Sequence, residues 1–150
     1  MKLEASFVCD DIRSETGRKI SLMGLYDEKL LLVQLPAKIS KLCLFQRWSQ
    51  VRTGTKVEIE LRGSAIVTPV RTGPKETRDP LAPSIHAETV NFVKANLLVG
   101  FEGINIAAEG SLEFLTFWDG SSSPQHTHIV QVGKLDPDEA SKMGLAPQQD

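Results

Sequence analysis

The chain reads as an all-β protein: an antiparallel β-sandwich of about eight strands, immunoglobulin-like or similar, followed by a short C-terminal helix. Three observations predict it. Residues 55–62 alternate with period two, placing Val57, Ile59 and Leu61 on one face and Lys56, Glu58, Glu60 and Arg62 on the other, the pattern of a strand with one dry and one wet side. Between about Lys2 and Leu135 no stretch sustains a 3.6-residue period with helix caps, so the crossover helices of a parallel sheet are missing. The remaining apolar runs are short, rich in β-branched or aromatic residues, and bounded by Gly, Pro, Asp or Ser.

Taken in order, Ala5, Phe7 and Cys9 alternate with Glu4 and Ser6 as a first strand, and residues 19–26 form a second. Between them a charged connection gathers Asp10, Asp11, Arg13, Glu15, Arg18 and Lys19, as a hydrogen-bonded corner or a recognition loop. Further strands are expected at 39–48, 55–62, 64–69, 88–101, 111–118 and 126–134. Residues 69–84 hold four of the eight prolines together with Arg71, Lys75 and Arg78, a long loop of the kind that is often functional. At the C-terminus Asp136 is an N-cap, Pro137 the first helical residue, Glu139 the partner in a capping box, Lys142 the last-turn cation and Gly144 the left-handed stop. The division is a sandwich domain over 1–135 and a helix with tail over 136–150.

At 150 residues one domain buries roughly 70% of its unfolded surface and needs no metal or disulfide. Hydrophobic content of 41% and a net charge of −2 exclude wholesale disorder and any global attraction to nucleic acid or an anionic membrane. Cys9 and Cys43 lie in strand-like runs without ligand spacing, and read as buried reduced thiols. Met1-Lys2-Leu3-Glu4 opens no apolar signal region and no run reaches the roughly 20 residues of a membrane helix. The expected location is cytoplasmic, or a virion or assembly released from a cytoplasm.

Chemical motifs are incomplete. Gly120 followed by five residues and His126-Thr127-His128 opens a metal motif of the cupin type, but Val132 and Gly133 stand where its Glu belongs. A polar surface pair outweighs a metal role for His126 and His128, and no metal or cofactor is assigned. There is no Gly-x-Ser-x-Gly elbow and no phosphate-binding glycine loop. From Arg47 to Asp79 seven Lys/Arg face four Asp/Glu, too thin an excess to favour nucleic acid.

The segment Phe7 to Trp48 resembles an uncharacterised family of small bacterial proteins, a domain of unknown function, in Cys9-Asp10-Asp11-Ile12-Arg13, in Gly17-Arg18-Lys19, in Leu22-Met23-Gly24-Leu25, and in Leu35-Pro36 with the strand Lys41 to Trp48. Where the family it resembles has Gly directly followed by Lys, this chain places Arg18 between Gly17 and Lys19. The resemblance implies a β-sandwich without known catalytic residues. A non-enzymatic protein is expected, acting through protein contacts or self-association, as an oligomer or a component of a bacterial or phage assembly, with Asp10, Asp11, Arg13, Arg18, Lys19, Arg71, Lys75 and Arg78 as contact residues. The alternatives are a small-ligand- or metal-binding domain using His126 and His128, and a weak nucleic-acid binder.

Overall fold

A computed structural model of the chain describes residues 1–77 and 92–145. Among the described residues the elements are β1 (Lys2–Glu15), β2 (Lys19–Tyr26), β3 (Lys29–Leu32), β4 (Ala37–Arg52), β5 (Lys56–Arg62), β6 (Val70–Arg71), β7 (Lys75–Glu76), β8 (Phe92–Ile106), β9 (Gly110–Trp118), β10 (His126–Lys134) and α1 (Pro137–Lys142). One sheet has the order β2-β1-β4-β8 and the other β3-β10-β9-β5, with β6 and β7 both on the free edge of β5. This is the all-β, sandwich-like architecture expected.

Period-two alternation builds the core. Val8 pairs with Leu44, Leu44 with Val99 and Leu42 with Phe101 across the first sheet, and all five point inward. Val57, Ile59 and Leu61 of β5 join Leu112 and Phe114 of β9 and Val130 and Val132 of β10 from the second sheet. Phe101 meets Phe114 edge-on at 5.8 Å and Trp48 meets Trp118 at 5.5 Å, the T-shaped geometry that aromatic quadrupoles favour. The wet face of β5 carries the alternating charges, with Arg62 on Glu113 and Arg71 on Glu58 and Glu60.

Several expectations are corrected. The run 64–69 is no strand: Gly63, at φ +137°, turns the chain off the sheet, and Ala65 and Ile66 plug the end of the sandwich, tied by Ala65 N–H to Ser111 C=O and by Ala107 N–H to Ala65 C=O. An apolar run can close a core as readily as it can form a strand, and periodicity does not separate the two. The short strands β3, β6 and β7 carry too few residues for a period. β3 pairs with β10 in parallel, so the antiparallel rule has one exception. The expected strand 39–48 extends to Ala37–Arg52, past a bulge where Gln50 takes φ +55°. The expected strand 88–101 is described from Phe92 and runs on to Ile106; its first residues, the later part of the 69–84 loop, Arg78 and the tail from 146 lie outside the described residues.

Helix α1 forms as its caps dictate. Asp136 accepts from Asp138 N–H at 2.8 Å, in place of the reciprocal box expected with Glu139. Gly144 sits at φ +70°, and Leu145 N–H closes on Ala140 C=O at 2.9 Å, the doubled stop of a left-handed terminus. Ala140 and, just before the helix, Leu135 are buried, so a helix too short to persist alone is held by the sandwich.

Phe114, fully buried between the sheets, sets the core's sensitivity. Phe114→Ala is expected to lower unfolding free energy by about 3–5 kcal/mol, measured as a shift in urea midpoint at constant slope.

Candidate functional site

The site begins where β1 parts from β4. Pairing of β1 with β4 ends at Cys9 opposite Cys43, whereas pairing with β2 continues to Glu15 opposite Lys19. A straight strand from Ala5 to Glu15 would span roughly 33 Å. Yet Ala5, Phe7, Phe45, Arg47 and Asn96 line one cleft with Glu15, Arg18, Lys19, Ile20 and Leu22. The β1–β2 ribbon therefore folds back across the outer face of the first sheet. The charged stretch expected as a connection between strands is mostly strand, and only Thr16–Arg18 form the turn, with Gly17 and Arg18 both left-handed.

Asp10 and Gly24 stand opposite one another at the fold-back, between the pairs Cys9–Leu25 and Asp11–Met23. Gly24 takes φ +66°, and a Cβ there would fall 2.1 Å from Asp10 Oδ2. The missing side chain lets the carboxylate lie across β2, where Asp10 Oδ1 accepts the Tyr26 hydroxyl. Burial, and then the Asp10 carboxylate, push the Tyr26 phenol well above its usual range, so it donates throughout ordinary pH. Asp11 accepts from Lys41 Nζ at 2.7 Å, from Arg13 Nε at 3.4 Å and from Ile12 N–H at 3.0 Å. Lys41 first, and Arg13 next, hold its carboxyl below the usual range. These pairs are exposed and orient the arm's root more than they stabilise it.

Under the arm lie Cys9, Cys43 and Phe45, all buried although they point away from the main core. The Cys9 thiol donates to Asp11 C=O at 3.4 Å and the Cys43 thiol to Asp10 C=O at 3.8 Å. Burial chiefly, with the neighbouring Cys43, pushes the Cys9 thiol up to about 11, and both cysteines are free. Cys9 and Cys43 are the buried, free thiols expected, and the alternation of Ala5, Phe7 and Cys9 with Ser6 holds, with the apolar set on the side away from the main core. Ser6 and Val8 face the opposite sheet, because the arm gives β1 a second covered side that alternation cannot foresee.

The cleft beneath the arm measures about 530 Å³. Phe7, 42% exposed, stacks on Phe45 at 6.5 Å. Arg47 lies 6.0 Å from the Phe45 ring and donates to Asn96 Oδ1 at 3.1 Å. Among the described residues, Arg18, Lys19 and Arg47 form no ion pair, and the Glu15 carboxylate accepts from Ser21. The arm thus brings Arg18 and Lys19, singled out in the sequence, to Arg47 and Phe7, which were missed. Their signal would have been the two-stranded pattern of β1 and β2 continuing through the charged stretch.

Arg71 and Lys75 do not join this site. Arg71 sits 4.8 Å over the Phe117 ring and donates to Glu58 at 2.8 Å, which commits its charge to the second sheet. Lys75 is exposed on β7 at a separate hollow. His126 and His128 are not the surface pair expected. They occupy the inward positions of β10, edge-on to Trp48 and Phe114 respectively. No group of three His, Cys, Asp or Glu suited to a metal occurs among the described residues. His128 instead ends a chain of hydrogen bonds between the sheets. Trp48 Nε1–H and Thr116 Oγ–H donate to Gln46 Oε1 at 3.0 and 2.9 Å, Gln46 Nε2–H donates to Ser6 Oγ at 3.3 Å, and Ser6 Oγ lies 2.8 Å from His128 Nδ1. Gln46 uses one acceptor site of the serine hydroxyl, and the bond from Ser6 to Nδ1 runs in the direction the imidazole tautomer sets.

Two outcomes are expected. Gly24→Ala forces Asp10 aside and strains the backbone, lowering stability by roughly 1–3 kcal/mol; in an Asp10→Ala background the approaches to Oδ2 and Cγ are removed, the 3.1 Å approach to Cβ stays, and the loss is smaller, as a double-mutant cycle by urea unfolding will show. Burial lowers the affinity of His126 for a proton, and burial with the neighbouring His126 does so for His128. The unfolded chain then binds more protons near and below the ordinary value of 6.5, so stability holds above about pH 7 and falls as pH drops through and below about 6.5. His126→Gln with His128→Gln flattens that slope in urea midpoints taken across the range.

Residues 4–131 match a family of unknown function (DUF6941), and the chain belongs to it. The match reaches well past Phe7–Trp48 to Gln131, taking in the arm and both sheets. No curated protein and no solved structure matches. No helix among the described residues is long and apolar enough to cross a membrane.

Proposed function

We propose that this member of the DUF6941 family works through protein contacts rather than chemistry, as a self-associating protein or a component of a larger assembly, with the folded-back arm as its contact surface. One observation carries the reading: Phe7, Met23 and Leu25 stand in solvent at 42, 43 and 56% exposure, Phe7 and Leu25 at one pocket beside the arm's root, Met23 opposite Asp11 in the register of the arm, and Arg18 and Lys19 at the cleft that Phe7 also lines. Large apolar side chains left in solvent beside charges are what an interface offers. Asp10 belongs to the arm's internal scaffold, through Tyr26, and Asp11 to its root, through Lys41.

A second reading has its own observation. A pocket of about 340 Å³ beside the arm's root is lined by Ser6, Phe7, Leu25, Tyr26, Asp27 and His128, a size that suits a small ligand. The Ser6–His128 hydrogen bond supports that reading as an orienting contact. Nucleic acid is disfavoured by the grip of Glu58 and Glu60 on Arg71.

Size exclusion with light scattering tests the first reading. The wild-type protein is expected to exceed the 16.5 kDa monomer mass at micromolar concentration, and Met23→Asp with Leu25→Asp to return it to the monomer with the fold intact. A wild-type protein that stays monomeric throughout a concentration series overturns self-association.

A further inference from the structure

We infer that copies of this chain meet head to tail, the acidic C-terminal helix of one seated at the cleft beneath the arm of the next. The inference rests on the contact reading above and names the second surface. The cleft mouth carries Arg18, Lys19 and Arg47 against Glu15 alone. Helix α1 with its cap carries Asp136, Asp138 and Glu139 against Lys142. The two surfaces have opposite sign, and each sets bare apolar groups beside its charges: Phe7 at the cleft, Met143 and Leu145 at the helix end, 67 and 47% exposed.

Size decides what enters. About 530 Å³ has room for side chains and not for the body of a helix some 10 Å across. Met143 and Leu145 therefore fill the hollow against Phe7, while the acidic residues remain on its rim. Glu139 and Met143 are one turn apart and share a helix stripe, so the anchor and the anion arrive together. Ala140 is buried in its own sandwich while Glu139 and Met143 are exposed, which leaves both of these side chains free to meet a neighbour.

Arm and helix are different surfaces, so the contact is heterologous: each copy keeps one cleft and one helix unused until a ring closes or a chain grows. Charge contacts of this kind steer association and weaken with salt. Acidic peptides from other proteins and single-stranded nucleic acid are the competing occupants.

Charge exchange tests it. Light scattering on the full chain should show Arg18→Glu with Lys19→Glu monomeric, Asp138→Lys with Glu139→Lys monomeric, and their equimolar mixture reassembled, because each reversed surface meets its complement. Met143→Glu, at an exposed position, should also dissociate the protein, and thermal melting checks that every variant is folded. Folded variants that assemble as the wild type does overturn the inference; if Met23→Asp with Leu25→Asp still dissociates them, the contact reading survives without it. A mixture that stays monomeric overturns it as well. A monomeric wild type whose cleft binds a fluorescein-labelled poly-glutamate peptide or oligothymidylate overturns the second copy as occupant.

Discussion

A carboxylate lying across a glycine changes the first hairpin of this protein from the edge of a sheet into an arm. Gly24 has no Cβ to keep Asp10 away and accepts the left-handed φ of +66° that the crossing requires. Asp10 then reaches Tyr26, Asp11 reaches Lys41, and the ribbon that would have run on beyond Cys9 comes back over the sheet. The Cys9-Asp10-Asp11 and Leu22-Met23-Gly24-Leu25 segments face one another in the register, which accounts physically for their standing out together in the chain.

The arm has consequences for packing. It gives Cys9, Cys43 and Phe45 a cover of their own, so the first sheet is dry on parts of both faces while the second keeps its charged exterior. The thiols, buried and lacking a low-pKa environment, act as small apolar groups. The cleft at the arm's edge inherits both an aromatic floor and a basic mouth. Either alone would be ordinary surface; their coincidence at one cleft is what the proposed contact with an acidic, apolar surface draws on.

Between the sheets a different logic operates. Gln46 and Thr116 are fully buried polar residues, and their cost is offset only because each finds a partner in the chain that ends at His128. That chain sets the side-chain amide of Gln46 one way round and ends on His128 Nδ1. Trp118 Nε1 is the one buried side-chain polar atom among the described residues without a partner, at the rim where Trp48 takes the Gln46 acceptor instead.

Much of the architecture was legible along the chain. Strands 19–26 and 126–134 match their observed bounds, β5 and β9 nearly so, and Asp136, Pro137 and Gly144 marked α1, because period and capping are local properties carried by neighbouring residues. The charges of Arg18 and Lys19 were equally visible. What only the tertiary structure decided depends on residues distant in sequence: that β1 continues through its acidic pair, that Phe7 and Cys9 face outward, that His126 and His128 face inward, and that Arg47 joins Arg18 at one cleft while Arg71 is claimed by Glu58 and Glu60. Alternation assigns two faces to a strand and cannot say which is covered, since the cover comes from a ribbon whose bend rests on a contact between residues 10 and 24.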